Sequence, residues 1–196
     1  MRKIAMIAGV ALSALVFVQC ETQQDPFEVS DDRVGLLTKE VQIKQLDSIF
    51  KMDSIVKLSS IENALGTQGE VEVYEKGGKK LLTVSPHDET DPNSTIQSIQ
   101  LFDERYKTDK GLSVKSTFKD VKENYTIKNM MTSISTVLVF LEDSNLFITI
   151  DKKQLSENAR YDPSLKIEAS HIPDTATFKY VMIGWDKEED KAEDIE

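Results

Sequence analysis

Few residues in this 196-residue chain are placed to do chemistry. It has two histidines, His87 and His171, and one cysteine, Cys20. Neither histidine has Cys, Asp or Glu partners at metal-ligand spacing on a helical pattern. There is no G-x-S-x-G, no H-E-x-x-H, no P-loop and no dinucleotide fingerprint, so no cofactor is expected. The densest donor set is His87-Asp88-Glu89-Thr90-Asp91-Pro92-Asn93, in which Asp88, Glu89 and Asp91 are candidate calcium ligands. The EF-hand spacing and its glycine are missing, and a solvated acidic turn would read the same way. In D-E-R-Y-K-T-D-K, residues 103–110, Arg105 and Tyr106 are candidate partner contacts, since both types are favoured at binding hot spots. An ordinary charged connector has the same composition. Trp185, the single tryptophan, ends the last expected strand, either in the core or as an anchor for a partner. An enzyme would have to gather carboxylates and a tyrosine by folding alone, and the expectation is that this protein is not one.

The elements around these residues form a weak repeat. V-G-L-L-T-K-E-V-Q-I-K-Q-L-D-S-I-F at 34–50 and K-G-L-S-V-K-S-T-F-K-D-V-K-E-N-Y at 110–125 each carry a glycine, an extended apolar pair and a short helix. One helix has Ile43, Leu46 and Phe50 on its apolar face; the other has Phe118, Val121 and Tyr125. Ser116 and Thr117 offer an N-cap, and Asp120 lies in the first turn, where the helix dipole favours a carboxylate. Each helix precedes a hairpin: V-E-V-Y-E-K-G-G-K-K-L-L-T-V at 71–84, then V-L-V-F-L-E-D-S-N-L-F-I-T-I at 137–150, an offset of 66. Lys76-Gly77-Gly78-Lys79 is a two-glycine turn. Strands are expected at 96–102 and 178–185, and 155–164 reads as irregular. Hairpins with helices segregated to one face imply an α+β domain. The expected sheet has about six to eight antiparallel strands, with two short helices on one face. It would span 34–186 as two repeats, 34–109 and 110–186.

The ends of the chain read differently. Arg2 and Lys3 precede an uncharged run of 15 residues, Ile4 to Val18, shorter than the roughly 20 a membrane-spanning helix needs. Residues 1–19 are therefore expected to be a signal peptide. It ends at Val18-Gln19-Cys20. Residues 20–33 read as a polar tether, and 187–196 as a disordered acidic tail. Loss of Arg2 and Lys3 would move the net charge from −10 to −12, which disfavours nucleic acid and anionic headgroups.

The N-terminus resembles a bacterial lipoprotein signal, in which the cysteine becomes the first mature residue and carries the lipid. With the tether and G-L-S-V-K-S-T-F-K-D-V-K-E-N-Y, the chain is similar to uncharacterised bacterial lipoproteins. The G-L-x(4)-[ST]-x(3)-V-x(3)-Y figure resembles, more distantly, SmpA/OmlA-type outer-membrane assembly lipoproteins and the tandem helix-plus-hairpin units of β-lactamase-inhibitor proteins. These resemblances imply lipidation at Cys20, a place in the cell envelope (outer membrane, on its periplasmic or surface side), and a protein partner rather than a reaction. The alternative is an envelope protein binding a small ligand or a divalent cation.

Overall fold

A computed structural model describes residues 25–58, 69–161 and 165–185. The expected signal peptide 1–19, Cys20 and the tail 187–196 lie outside the described residues. The main sheet holds β4 (Ser54–Lys57), β5 (Val71–Tyr74), β6 (Lys80–Pro86), β7 (Ile96–Leu101), β9 (Ile127–Thr132), β10 (Thr136–Leu141), β11 (Leu146–Asp151) and β12 (Tyr180–Gly184). It is antiparallel throughout, in the order β4-β5-β6-β7-β12-β11-β10-β9. A second sheet, β3-β2-β1-β8, is built from β1 (Glu28–Ser30), β2 (Arg33–Val34), β3 (Leu37–Thr38) and β8 (Lys107–Thr108). The helices are α1 (Leu46–Ile49), α2 (Phe118–Asn124) and α3 (Glu157–Tyr161). None of the described helices is long and apolar enough to cross a membrane.

The fold is α+β, as the alternation of residues requires. Val71, Val73, Leu82, Val84, Ile148 and Ile150 are buried on one sheet face, where Leu46, Phe50, Phe118 and Val121 of the helical segments join the same core. Stripping a fully buried side chain such as Phe118 to alanine costs about 3–5 kcal/mol, by lost transfer energy plus the cavity left behind.

The strand order reads the same from either end, and the registers carry the relation down to single pairs. Val71 pairs with Val84 and Val73 with Leu82; Val137 pairs with Ile150 and Val139 with Ile148, the same rungs at the hairpin offset of 66. Ile55 faces Val73 as Met130 faces Val139, with 130 − 55 = 75. The helix entries repeat too. The Ile43 and Lys44 N–H groups donate to Ser94 O and Pro92 O (3.0 Å each). The Phe118 and Lys119 N–H groups donate to Ala176 O and Asp174 O (2.9 and 3.0 Å). The donors are offset by 118 − 43 = 75 and the acceptors by 176 − 94 = 82. Ile43 and Lys44 lie in the 3-10 turn Ile43–Gln45 that leads into α1, and Phe118 and Lys119 open α2; such first-turn donors have no intrahelical acceptor, so each half solves one problem the same way. Capping boxes sit at matching places: Gln42 N–H donates to Gln45 Oε1 (2.8 Å), and Thr117 N–H donates to Asp120 Oδ2 (2.6 Å). The halves meet where β7 pairs with β12, at Leu101↔Val181 and Ile99↔Ile183.

Two expectations change. The polar tether ends earlier than residue 33, because β1 and β2 are already sheet; Val29 at 3% exposure and the half-buried Phe27 pull the segment in. The stretch 155–164 contains α3 up to Tyr161, held by Ala159 in the core, while 162–164 lie outside the described residues. In β7 both Ile96 and Ile99 are buried, which strict alternation forbids; a register shift between Ser85 and Pro86 accommodates it. At the sheet edge, Asn129 turns its Oδ1 back to the Met130 N–H (2.8 Å).

The two repeat glycines both have positive φ, +56° at Gly35 and +80° at Gly111. A Cβ at Gly35 would meet Pro26 O at 2.2 Å, whereas nothing lies within 4 Å at Gly111. Gly111→Ala should therefore cost only the backbone term, about 1–2 kcal/mol, and Gly35→Ala distinctly more. Urea midpoints of the two variants check this; equal losses would contradict the crowding at Gly35.

Candidate functional site

A cleft of about 830 Å³ opens at one end of the domain. Four separate pieces of chain make its walls: β1 with Asp31, the segment 108–110 that includes the last residue of β8, the end of α2 with Tyr125 and Thr126, and the β10–β11 turn at Glu142 to Ser144. Leu146 and Ile183 form its apolar floor. Asp31 holds two walls together. Its Oδ1 accepts from Ser144 Oγ and the Asn145 N–H (3.0 Å each), and its carbonyl accepts from Asn145 Nδ2 (3.1 Å) and the Trp185 indole N–H (2.6 Å). Behind the wall, the Tyr125 and Thr108 hydroxyls hydrogen-bond at 2.6 Å, and Thr108 Oγ1 accepts the Leu112 N–H at 3.0 Å. Burial raises the Tyr125 pKa, against the Thr108 hydrogen bond, so this phenol stays protonated at neutral pH.

The lining is acidic. Glu28, Asp31, Asp109, Glu123, Glu142 and Asp143 face two lysines, Lys110 and Lys122. Both lysines are engaged. Lys122 Nζ lies 2.6 Å from Asp174 Oδ1, and Lys110 Nζ donates to Asn124 O (3.0 Å) while sitting 4.6 Å over the Tyr125 ring. Asp143 holds φ +51°, a left-handed conformation that Asp tolerates better than most non-glycine residues.

The residues singled out from the sequence sit elsewhere. Arg105 belongs to an ion-pair network: its guanidinium donates to Asp103 (Nη2 to Oδ2, 2.6 Å) and Glu75 (Nη1 to Oε1, 2.8 Å), and it stacks 4.3 Å over the Phe27 ring. Tyr106, 2% exposed, meets Phe27 edge-on at 5.1 Å; burial pushes its phenol pKa well up. Trp185 is 3% exposed and part of the core. Neither Tyr106 nor Trp185 offers surface to a partner; each fills the interior, and Trp185 closes the wall behind the cleft. The Asp88, Glu89 and Asp91 loop does not gather a cation site. Asp88 Oδ1 accepts from Thr90 N–H and Oγ1 (2.9 and 2.7 Å), and Asp91 Oδ1 accepts from Asn93 N–H and Nδ2 (2.8 and 3.1 Å). Each of these carboxylates is turned onto the chain two residues on, a turn motif common for Asp. Among the described residues no group of three or more His, Cys, Asp or Glu could hold a metal. His171 Nδ1 is used as well, accepting the Glu168 N–H at 3.0 Å.

A second surface feature is the outward face of the sheet. In the second half it carries Leu138, Phe140, Phe147 and Met182, with Phe140 and Phe147 stacked at 5.4 Å. In the first half the matching face is polar: Glu72 accepts from Lys80 and from the Tyr74 hydroxyl, and Lys80 lies 4.2 Å over Phe102.

No protein-family model matches the chain, and no curated protein does. Among solved structures, the fold is similar to the crystal structure of the uncharacterized protein yfeY from Escherichia coli. The TM-score is 0.52 at 15% identity, covering 81% of this chain and 99% of that one. That likeness is one of fold alone.

Among the described residues Asp103 is the one buried charged side chain, at 0% exposure. Burial alone would raise its pKa; the hydrogen bonds from the Arg105 side chain, the Arg105 N–H and Lys79 outweigh it and hold the carboxyl well below the usual range. A depressed folded pKa contributes stability that is present above the unfolded value near 3.9 and lost as pH falls below it. Because Arg105 and Lys79 lie at the surface, Asp103→Asn should cost about 2 kcal/mol at neutral pH, between the exposed and buried extremes. The difference from wild type should shrink below about pH 4. Urea unfolding at pH 7 and pH 3 measures both; a pH-independent difference would separate the cost from this charge.

Proposed function

We propose that the protein is a lipid-anchored component of a bacterial cell envelope, in the outer membrane, that binds another protein and catalyses nothing. The observation that carries the binding half is the cleft: a pre-formed opening of about 830 Å³ whose walls are fixed by Asp31, Trp185 and the Thr108–Tyr125 pair. Its lining is acidic and hydrogen-bonding, where small-molecule pockets are predominantly apolar. That composition favours a protein segment over a small ligand. The candidate acid–base groups support the non-catalytic reading, since His171 caps a turn and the Tyr125 hydroxyl is tied to Thr108. The anchor rests on the sequence: a short apolar run behind two basic residues, ending at the single cysteine. An acidic domain has no electrostatic route of its own to anionic lipid, and stable attachment needs the two acyl chains a lipidated cysteine supplies.

Two measurements test the halves separately. Cells fed clickable palmitate should label the wild type and leave Cys20→Ala unlabelled and released; equal label in both removes the anchor. A photo-crosslinking residue at position 109 or 126, on the rim of the cleft, should trap a discrete second protein in intact cells. The same residue at position 52, exposed on the first half, should not. Self-adducts alone at both rim positions would end the protein-binding reading.

A further inference from the structure

The internal two-fold relation compares the cleft with a place where the same space is filled. The cleft lies between the end of α2 and the β10–β11 turn. Its first-half counterparts are the end of α1, at the offset of 75, and the β5–β6 turn, at the offset of 66. There the space is closed. Gly35, counterpart of Gly111, is buried against Pro26 O and the Tyr106 ring. Phe27 lies against Tyr106, the Arg105 guanidinium stacks on Phe27, and Asp103 with Glu75 takes the guanidinium. The filler is therefore an extended segment bringing an aromatic ring and a stacked cation clamped by two carboxylates.

In the second half the receiving groups are present, and among the described residues no such filler occupies them. Gly111 is exposed with nothing within 4 Å of its would-be Cβ. Tyr125 offers an aromatic face at the wall. Glu142 and Asp143 stand exposed on the rim and pair with no cation among the described residues. The Lys110 ammonium rests on the Tyr125 ring and on Asn124 O, doing from within what Arg105 does for Phe27. Of the six lining carboxylates Glu28 pairs with Arg33 and Glu123 with Lys119, and both lining lysines have partners, which leaves Asp31, Asp109, Glu142 and Asp143 without a cation among the described residues and the opening complementary to positive charge.

We infer that the cleft receives an extended segment of a partner protein carrying arginine beside an aromatic residue, and that Lys110 holds the cation position until that segment displaces it. This rests on the cleft being the partner site. Arginine suits the place better than lysine, because its planar guanidinium can stack on a ring and bond a carboxylate at once.

The test uses the full chain in non-ionic detergent and a fluorescent peptide amide, Ala-Arg-Phe-Arg-Ala, with Ala-Gln-Phe-Gln-Ala as its neutral match, read by anisotropy. The arginine peptide should bind saturably and weaken as salt is raised. The double variant Glu142→Gln/Asp143→Asn, which keeps side-chain size and a residue tolerant of positive φ, should weaken binding about tenfold, the value of one charge-assisted contact. Lys110→Gln should tighten binding several-fold, and more than Lys122→Gln, which removes the same charge without freeing the Tyr125 face. Equal affinity for the two peptides, no saturable binding of either, or equal effects of the two lysine variants would overturn the inference. If position 109 still traps a protein in cells, the binding function stands with a partner of different chemistry.

Discussion

The pairing of β7 with β12 joins the two halves of this domain, and its register determines how they face each other. Val181 lies opposite Leu101 and Ile183 opposite Ile99, so the two-fold relation passes through this ladder. Every other pairing in the main sheet joins strands that are neighbours in sequence. Because side chains alternate with period two, a one-residue slip here would turn one half's core face to solvent while the other stayed in place. The helices could then no longer share one core.

Symmetry of this kind fails where single segments cross the axis, and the failures generate the molecule's distinct surfaces. β1 lies between β2 and β8, antiparallel to one and parallel to the other, so one strand serves both halves and can equal neither. What comes before it, Pro26 and Phe27, can close only one end. The first half takes them, together with Arg105 and Tyr106, and among the described residues the second stays open. The outward sheet face diverges too, with the Glu72–Lys80 pair on one half and the Phe140–Phe147 stack on the other.

The sequence was legible where structure is local and periodic. The hairpin offset of 66, the glycine pair and the helix faces at Leu46, Phe50, Phe118 and Val121 each rest on spacing within a short window, and the ladders keep the same spacing. Gly77 and Gly78 both hold positive φ, as a two-glycine turn suggests. What escaped depends on distance along the chain. Arg105 and Tyr106 have the composition of a contact patch, but the bare Cα of Gly35, from the other end of the first half, gives the Tyr106 ring a seat inside. The cleft draws on residues from 28 to 183, and no window of sequence contains it. β1 is three residues long with one buried valine, too little pattern to tell from a tether.

The hydrogen bond from the Met130 N–H to Asn129 Oδ1 has a consequence for how the protein behaves when crowded. β9 ends the main sheet, and an end strand presents outward donors and acceptors that can template a foreign strand. Met131, 55% exposed, would add apolar attraction to such an encounter. By spending the Met130 donor on its own neighbour, the chain removes one rung from the ladder an incoming strand would need. Lys128, beside it on the same strand, makes a second copy arriving edge-on bring like charge against like. The open side of the sheet is thereby made a poor seed for fibrils, without a proline or a covering helix.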